Sequence, residues 1–330
     1  MSDSPPVRIG VLGAARIAPM ALLRPAREVD DVQVSAVAAR DPERAAAFAK
    51  KHDIPHVHAS YDELLADPEL DAIYNPLPNS HHCVWTIQAL ESGKDVLCEK
   101  PIASNAREAK RMADAAEKTG RILVEAFHYR YHPLAARLRE ILRSGELGAI
   151  RHVEASMCVP LPRPRDIRFK LALGGGAGMD VGCYAVNLVR FIAEAEPEVV
   201  SARARLARPD VDRWIQADLC FAEGTTGRVT ASLLSSTLLR MEVRVRGDAG
   251  ELRVINPFLP QIFHRLKVRT SRGTRVEQVH GDASYTHQLR AFTKAVRAGA
   301  ALATDGRDGV ANMQVIDAIY EAAGLAPRGQ

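Results

Sequence analysis

The sequence predicts an α/β protein of two domains, the first built on a parallel sheet and the second an α+β domain with an antiparallel sheet. Short apolar runs alternate with helical patterns from Val7 to about Glu125, which is typical of a parallel sheet covered on both faces. Farther along, strand-like runs are separated by turn residues rather than helices, which favours antiparallel pairing. A chain of 330 residues is long enough for two hydrophobic cores.

Five strands and a well-marked helix are predicted in the first domain. The second strand is followed by Asp41, which can cap a helix, then Pro42, which fits the first helical position, and Glu43, which favours the positive helix end. The first two strands, with the helical stretch between them, are predicted to form one βαβ unit from Val7 to Ala39. The predicted strands are Val7-Leu12, Val32-Ala39, Ala72-Tyr74, Val96-Cys98 and Ile122-Glu125.

The pattern changes after Glu125, where a helix from about Pro133 to Ser144 is followed by Gly145, Gly148 and a strand. We expect the domain boundary here, with domains at 1–131 and 132–330. The further predicted strands are Ile150-Val159, Trp214-Phe221, Arg228-Leu234, Met241-Arg246 and Leu252-Ile255, and the predicted helices lie near Ala177-Phe191, Tyr285-Ala298 and Val310-Ala323.

Composition excludes several classes of protein. The formal net charge is only +4 and the basic residues are scattered among acids, so nucleic acid is not an expected partner. The five cysteines form no C-x-x-C pair, which favours a reducing compartment. No apolar run is long enough to cross a membrane, and the polar start from Met1 to Pro6 lacks the features of a secretion signal. We expect a cytoplasmic protein, and because the histidines lack metal-ligand spacing we expect no metal.

A variant of the dinucleotide fingerprint follows the first strand. The residues Gly13-Ala14-Ala15-Arg16-Ile17-Ala18 read G-x-A-x-x-A, with alanine in place of two glycines. Gly13 allows the tight turn, and the small alanines allow a pyrophosphate and the following helix to approach closely. The pattern alone is weak, since a turn after any buried strand can look the same.

The end of the second strand indicates which dinucleotide is bound. Arg40 lies where an NAD-binding domain usually has an acidic residue for the ribose hydroxyls. A guanidinium there can stack on adenine and pair with a 2′-phosphate, which favours NADP, and Arg16 could assist. The alternative is that Arg40 is only a solvated residue at the strand end and that Asp41, as well as capping the helix, binds the ribose.

Four longer motifs carry a more specific resemblance. The chain has Tyr74-Asn75-Pro76-Leu77-Pro78-Asn79-Ser80-His81-His82 after one strand and Cys98-Glu99-Lys100-Pro101 after another. Later segments are Glu125-Ala126-Phe127-His128-Tyr129-Arg130-Tyr131-His132-Pro133 and Gly174-Gly175-Gly176-Ala177-Gly178-Met179-Asp180-Val181-Gly182-Cys183-Tyr184. Together they resemble the glucose-fructose oxidoreductase/inositol dehydrogenase/MocA family over nearly the whole chain. The Asp-x-Gly-x-Tyr ending is similar to the dihydrodiol dehydrogenase, xylose dehydrogenase and 1,5-anhydrofructose reductase branch.

The resemblance implies a Rossmann domain followed by a domain with a large, mostly antiparallel open sheet, which would form a homodimer or homotetramer. It implies an NADP-dependent oxidoreductase, with NAD possible, acting on a sugar or diol. Tyr184 is the expected general acid/base and Lys100, before a cis Pro101, the cation that favours its phenolate. Asp180, one helical turn before Tyr184, is expected to orient the substrate and Lys100.

The remaining candidates are contacts to the cofactor. Glu99 is expected beside the nicotinamide, Arg168 near cofactor or substrate, and His82 either as a helix cap or as a ligand contact. The full set of candidate cofactor-binding residues is Gly13, Ala14, Ala15, Arg16, Ile17, Ala39, Arg40, Asn75, Pro76, Leu77, Asn79, His82, Glu99, Lys100 and Arg168. Two other functions stay open: a glycosidase that uses tightly bound NAD, and a non-catalytic dinucleotide-binding sensor.

Overall fold

The computed structural model describes residues 5–163 and 165–329, so the start of the chain at Met1–Ser4 lies outside the described residues. The chain divides into two compact units. Unit 1 comprises the residues up to Ala103 together with 107–130 and 285–310. Unit 2 comprises 104–106, 131–284 and the residues from Ala311 onward.

Unit 1 is built on six parallel strands in the order β3-β2-β1-β4-β5-β6, which confirms the predicted parallel sheet. Each of the five predicted strands is present, with ends that differ from the prediction by at most one residue. The short strand β3 lies at the edge. The strands are β1 (Val7–Leu12), β2 (Val32–Ala38), β3 (His56–His58), β4 (Ala72–Asn75), β5 (Asp95–Cys98) and β6 (Leu123–Glu125).

The helices of unit 1 connect these strands. A π-helical turn at Pro19–Leu23 leads into α1 (Arg24–Ala26), and the other helices are α2 (Pro42–His52), α3 (Tyr61–Ala66), α4 (Asn79–Glu91) and α5 (Ala106–Thr119). The start of α2 is as predicted, because the Asp41 side chain accepts hydrogen bonds from the N–H groups of Glu43 and Arg44. A 3-10 turn spans His128–Tyr131.

A later segment belongs to unit 1, although the sequence places all of 132–330 in the second domain. Helix α8 (Ser284–Ala298) contributes Tyr285, Leu289 and Phe292 to the apolar core that also contains β1. The segment 285–310 is therefore grouped with unit 1 because it completes that core. Periodicity alone predicts the helix but not the sheet on which it packs.

Unit 2 contains an eight-stranded sheet in the order β14-β13-β12-β11-β7-β10-β9-β8, antiparallel except for the parallel pair β7 and β10. Strands β8, β13 and β14 are absent from the prediction. They lie at the two ends of the sheet, where exposed charged residues replace the apolar runs used to predict strands. The strands are β7 (Ile150–Cys158), β8 (Glu198–Arg208), β9 (Val211–Cys220), β10 (Thr226–Ser232), β11 (Arg240–Gly247), β12 (Gly250–Ile255), β13 (Arg265–Thr270) and β14 (Gly273–Glu277).

The two faces of this sheet differ in chemistry. Alternate residues such as Val153, Val243 and Val254 point to the inner face, where α7 (Cys183–Ala193) packs against β7 and β10. The outer face carries mainly charged and polar side chains. The remaining helices of unit 2 are α6 (Pro133–Arg143), α9 (Gly306–Ala322, which begins in unit 1), the π-helical turn Gly178–Gly182 and the 3-10 turns Ile167–Phe169, Leu171–Leu173 and Ala222–Gly224.

Within the described ranges, none of the helices has the length and hydropathy that crossing a bilayer would require.

Candidate active site

The turn after β1 has the conformation that a dinucleotide fingerprint requires. Gly13 has a φ of +84° and its N–H donates to the Ala38 carbonyl at 2.6 Å. A β-carbon on Gly13 would lie 3.0 Å from Leu77 Cδ2, so the turns after β1 and β4 are in close approach. These two strands are neighbours where the strand order reverses, which is the place where open α/β sheets bind ligands.

The alanines of the fingerprint are closely packed, and the helix that follows them begins with a π-helical turn. Ala14, Ala39 and the helix residue Ala45 form a small buried cluster, and Ala18 is fully buried. The alanines therefore allow the close packing that glycine usually provides, while Ala15 is half-buried, Ile17 packs on the core and Arg16 is exposed. The chain then enters a π-helical turn, because Pro25 lacks the N–H that a regular α-helix would need there.

Arg40 lies at the end of β2 as predicted and is exposed. Within the described part of the chain it has no ion-pair partner, whereas the neighbouring Asp41 carboxylate is used to cap α2. Arg44, one turn into α2, donates from Nη2 to the Ala14 carbonyl at 2.8 Å. The Arg44 guanidinium thus lies next to the Gly13 turn, and the sequence does not predict this because only the position of Arg44 on the folded helix brings it there.

The loop after β4 is shaped by buried side chains. Asn75 is fully buried and donates to the His82 carbonyl and to Thr86 Oγ1, at 3.3 and 3.0 Å. The ring nitrogens of His82, also fully buried, lie 2.9 Å from the Pro101 carbonyl oxygen and 2.7 Å from the Leu77 carbonyl oxygen. The polar groups of both side chains are used inside the protein, where they shape the loop, and their contact with the cofactor stays a prediction.

The other candidate residues of that loop are less buried toward its end. Pro76 is buried, Leu77 is half-buried, and Asn79 is half-buried at the first turn of α4. Leu77 is the residue that approaches Gly13. The structure therefore brings together the two loops that the sequence assigns to the cofactor.

The Lys100 turn follows β5 and is held at three successive points around the lysine. Glu99, nearly buried, accepts a hydrogen bond from the Tyr74 hydroxyl at 2.8 Å. The Pro101 carbonyl oxygen lies 2.9 Å from His82 Nδ1, and the Ile102 N–H donates to Glu125 Oε1, also at 2.9 Å. The bond between Lys100 and Pro101 is cis, as the resemblance implies. Lys100 is half-buried at the carboxyl edge of the sheet.

Tyr74 and Glu125 hold the Lys100 turn through hydrogen bonds that the sequence does not reveal. Burial, together with the negative charge of Glu99, raises the pKa of Tyr74 well above its ordinary value, so the phenol stays protonated and donates. The same two causes raise the pKa of Tyr285, whose ring stacks on His128 with centroids 3.9 Å apart. The sequence signal for Tyr74 and Glu125 is a polar residue at or near the end of an otherwise apolar strand.

In unit 2, Asp180 and Tyr184 lie on one continuous helical segment, the first in the π-helical turn and the second at the start of α7. Arg168 donates from Nε to Asp180 Oδ2 at 2.9 Å, and the negative charge of Asp180 is the main cause of the raised pKa of Arg168. Asp166 also pairs with Arg168 at 3.2 Å. The Tyr184 ring is buried and packs edge-to-face on Phe258, with centroids 5.4 Å apart.

The glycine run before this helix is anchored by a buried ion pair. Arg328 and Asp212 are 1% and 0% exposed, and Arg328 Nη2 lies 2.8 Å from Asp212 Oδ1. The other carboxylate oxygen accepts from the Gly178 N–H at 2.7 Å, and Arg328 Nε donates to the Gly175 carbonyl at 2.9 Å. A β-carbon on Gly176 would overlap Asp212, so the glycines are required for this approach.

The structure thus places Lys100 and Glu99 in unit 1 and Asp180, Tyr184 and Arg168 in unit 2. In the residues described, no group of three or more His, Cys, Asp or Glu side chains could hold a metal ion.

Comparison with known proteins gives the class of the molecule. Residues 7–127 match the model of an oxidoreductase family with an NAD-binding Rossmann fold, and residues 135–253 match the Gfo/Idh/MocA C-terminal domain. The chain belongs to this family, the one named for glucose-fructose oxidoreductase, inositol dehydrogenase and MocA, and it is an NAD(P)-dependent oxidoreductase.

Similar proteins include members of the branch that the motifs indicate. A D-xylose 1-dehydrogenase (NADP(+)) of Haloferax volcanii is 37% identical and covers 95% of this chain and 96% of the relative. A trans-1,2-dihydrobenzene-1,2-diol dehydrogenase of Xenopus laevis is 38% identical over 63% of this chain and 62% of the relative.

A solved 3-ketoreductase from Actinomadura kijaniata, in complex with NADP and TDP-benzene, has a TM-score of 0.89 and 29% identity. The match covers 96% of this chain and 98% of the reductase. Variants of that reductase in which a tyrosine is replaced by phenylalanine, or a lysine by alanine or glutamate, are also solved with these two ligands.

Proposed function

We propose that this chain is an NADP-dependent oxidoreductase that transfers a hydride between nicotinamide and a carbinol or carbonyl carbon of a sugar, anhydro-sugar or trans-diol. The observation that carries the proposal is the presence of Lys100 and Tyr184 in a chain that is 37% identical to an NADP-dependent xylose dehydrogenase along 95% of its length. The same pair of residue types was varied in the solved ketoreductase.

The cofactor site supports NADP over NAD. A side chain at Gly13 would be strained at a φ of +84° and its β-carbon would lie 3.0 Å from Leu77 Cδ2, which suits a turn that a pyrophosphate must approach. Arg40 is exposed and without an ion-pair partner among the described residues, and it is therefore free to pair with a 2′-phosphate. Arg44 stands one helical turn away and adds a second positive charge.

Bound nicotinamide supplies the hydride acceptor or donor, and the side chains of this chain move the proton. In oxidation Tyr184 removes the proton of the reacting hydroxyl, and in reduction it returns that proton to the carbonyl oxygen. The ammonium of Lys100 favours the phenolate form of the tyrosine, since an unperturbed phenol titrates near ~10. Asp180, whose charge is balanced by Arg168, orients the substrate hydroxyls.

The experiment is a cofactor-turnover assay across aldoses, anhydro-sugars, polyols and trans-diols, with NADP and NAD in parallel. We expect the absorbance of the reduced nicotinamide to grow in proportion to product with NADP and one of these substrate classes. Tyr184→Phe is the matched control, because it keeps the ring and loses only the hydroxyl. Product formation without net cofactor reduction would support the glycosidase instead, and NADP binding without turnover on any substrate would support the sensor.

A further inference from the structure

Three side chains behind the glycine run of unit 2 form a buried polar cluster, here named the anchor cluster. Asp212 and Tyr320 are 0% exposed and Arg328 is 1% exposed. The Tyr320 hydroxyl and Arg328 Nη2 both donate to Asp212 Oδ1, at 3.0 and 2.8 Å. The Arg328 guanidinium also lies over the Tyr320 ring, 4.0 Å from its centroid. The three side chains therefore satisfy and pack against one another out of contact with water.

The anchor cluster also bonds to the backbone of the glycine run. Asp212 Oδ2 accepts from the Gly178 N–H at 2.7 Å, and Arg328 Nε donates to the Gly175 carbonyl at 2.9 Å. A β-carbon on Gly178 would lie 2.7 Å from the Tyr320 hydroxyl oxygen, so the run and the cluster are in direct contact. Two points of the run are thus fixed to side chains that are themselves buried.

Gly176, between these two fixed points, joins the backbones of Arg168 and Asp180. Its N–H donates to the Arg168 carbonyl at 2.9 Å, and its carbonyl accepts from the Asp180 N–H at 3.0 Å. The side chains of the same two residues form an ion pair, with Arg168 Nε 2.9 Å from Asp180 Oδ2. A β-carbon on Gly175 would lie 2.6 Å from the Arg168 carbonyl oxygen, so the run cannot shift without moving Arg168. The position of the Asp180 carboxylate therefore depends on the backbone that the anchor cluster holds.

Tyr184 is held by a different set of contacts. Its ring packs on Phe258, and α7, on which it lies, packs against β7 and β10. Asp180 lies instead in the π-helical turn that begins at Gly178, two residues from the bond to the anchor cluster. A change in the anchor cluster should therefore displace Asp180 more than Tyr184.

Stability alone does not account for three buried polar side chains at this place. Taking two charges out of water costs about as much as their attraction returns, so apolar residues of the same volume would often stabilise the unit as well. Apolar side chains could not, however, bond to a backbone N–H and a backbone carbonyl and so fix both. The anchor cluster therefore specifies a geometry.

We propose that the anchor cluster positions Asp180 for the proposed reaction, and the inference rests on that proposed function. By fixing the glycine run, the cluster sets the geometry of the Arg168–Asp180 pair and so the point at which the Asp180 carboxylate meets the substrate hydroxyls. Its three members are positioning residues, because they are buried and act through Asp180.

Arg328→Lys tests the proposal while keeping the positive charge beside Asp212. A single ammonium cannot bond to both Asp212 and the Gly175 carbonyl in the fork geometry of a guanidinium. With a substrate that the parent turns over, we expect KM to rise at least about fivefold, because a misplaced carboxylate loses part of a contact worth about tenfold in binding. The kcat should change less than KM, and the Kd for NADP from calorimetry should match that of the parent. Tyr320→Phe removes only one hydroxyl and should shift KM in the same direction by a smaller factor.

A double variant shows whether Arg328 acts through Asp180. In an Asp180→Asn background, Arg328→Lys should leave KM where Asp180→Asn alone puts it, since the carboxylate that the anchor cluster positions is already lost. Multiplying effects on KM would show that Arg328 acts by another route and would overturn the proposal.

Leu252→Ala is the matched control for a loss of stability. Leu252 is fully buried on the inner face of β12, so its truncation should lower the Tm and leave KM at the parental value. Hydrogen exchange supplies a readout that needs no substrate. The backbone amides of residues 175–182 should exchange faster in Arg328→Lys than in the parent, and by a larger factor than in Leu252→Ala.

The outcomes separate this inference from the proposed function. A parent that turns over no substrate would overturn the proposed function and, with it, the role given to Asp180, whatever the exchange rates show. An active parent whose KM is unchanged by Arg328→Lys, or is raised equally by Leu252→Ala, would overturn this inference alone.

Discussion

Replacing Arg328 by methionine should destabilise unit 2 by about 3–5 kcal/mol, the usual cost of removing one partner from a buried ion pair. The substitution leaves the Asp212 carboxylate fully buried beside Gly178 and without its cation. It also removes the bond to the Gly175 carbonyl and the stacking of the guanidinium on the Tyr320 ring, whose centroid is 4.0 Å away. Methionine keeps much of the apolar volume, so the loss is electrostatic.

The assay can report on unit 2 alone. The chain has two tryptophans, of which Trp85 lies on α4 in unit 1 and Trp214 on β9 in unit 2. In a Trp85→Phe background, the fluorescence of Trp214 during urea unfolding follows unit 2 without assuming that both units unfold together. Arg328→Met in this background should lower the free energy of unfolding by the stated amount.

A double-mutant cycle with Asp212→Asn supplies the control. Because the two groups neutralise each other, Asp212→Asn/Arg328→Met should be less destabilised than the sum of the single variants, by at least about 1 kcal/mol. If Arg328→Met cost less than about 1 kcal/mol, or if the two changes were additive, the ion pair would not anchor the glycine run and the reasoning would be refuted.

The other predictions concern the cofactor, the proton transfer and acid stability. Arg40→Ala should weaken NADP binding by about 1.5–3 kcal/mol and NAD binding little, as measured by titration; equal losses would remove Arg40 from the 2′-phosphate. Tyr184→Phe and Lys100→Ala should each lower kcat by about 10²–10⁴-fold with the Kd for NADP nearly unchanged, and parental turnover in either would exclude that residue. Hydrogen bonds from Arg137 and Arg275 lower the pKa of Glu277 to about 2. Its contribution to stability is therefore complete above the unfolded value and is lost as pH falls toward about 2, so in Glu277→Gln the Tm should drop less between neutral pH and acid than in the parent. Glu140→Gln, which removes an exposed partner of Arg137, is the comparison, and an acid profile like that of the parent in Glu277→Gln would contradict the assignment.

Much of the fold could be predicted because it depends on neighbours in the sequence. Five of the six strands of unit 1 were predicted within one residue, since buried parallel strands are nearly continuous apolar runs. The cap at Asp41 was predicted because capping involves only the next three residues. Strand β8 escaped prediction because an edge strand with mostly exposed residues has no apolar run to mark it.

In the candidate site, too, some features could be predicted from the sequence and others could not. The fingerprint predicts Gly13 and Arg40 as cofactor residues, and the family resemblance predicts Lys100, Asp180 and Tyr184 as catalytic residues. They do not locate the partners of these residues. The sequence left His82 open as a helix cap or a ligand contact, and it did not predict that both ring nitrogens lie within hydrogen-bond distance of backbone carbonyls.

By itself the sequence determined the fold class, the family and the position of the Gly13 turn, and it predicted the proton-transfer residues. Only the tertiary structure decided that Tyr74 supports Glu99, that residues 285–310 complete the core of unit 1, and that Arg328 pairs with Asp212 across 116 positions of the chain. The physical reason is that periodicity and turn chemistry act over a few residues. A buried polar group instead needs a partner that long-range packing brings to it, and no local pattern says which distant residue that will be.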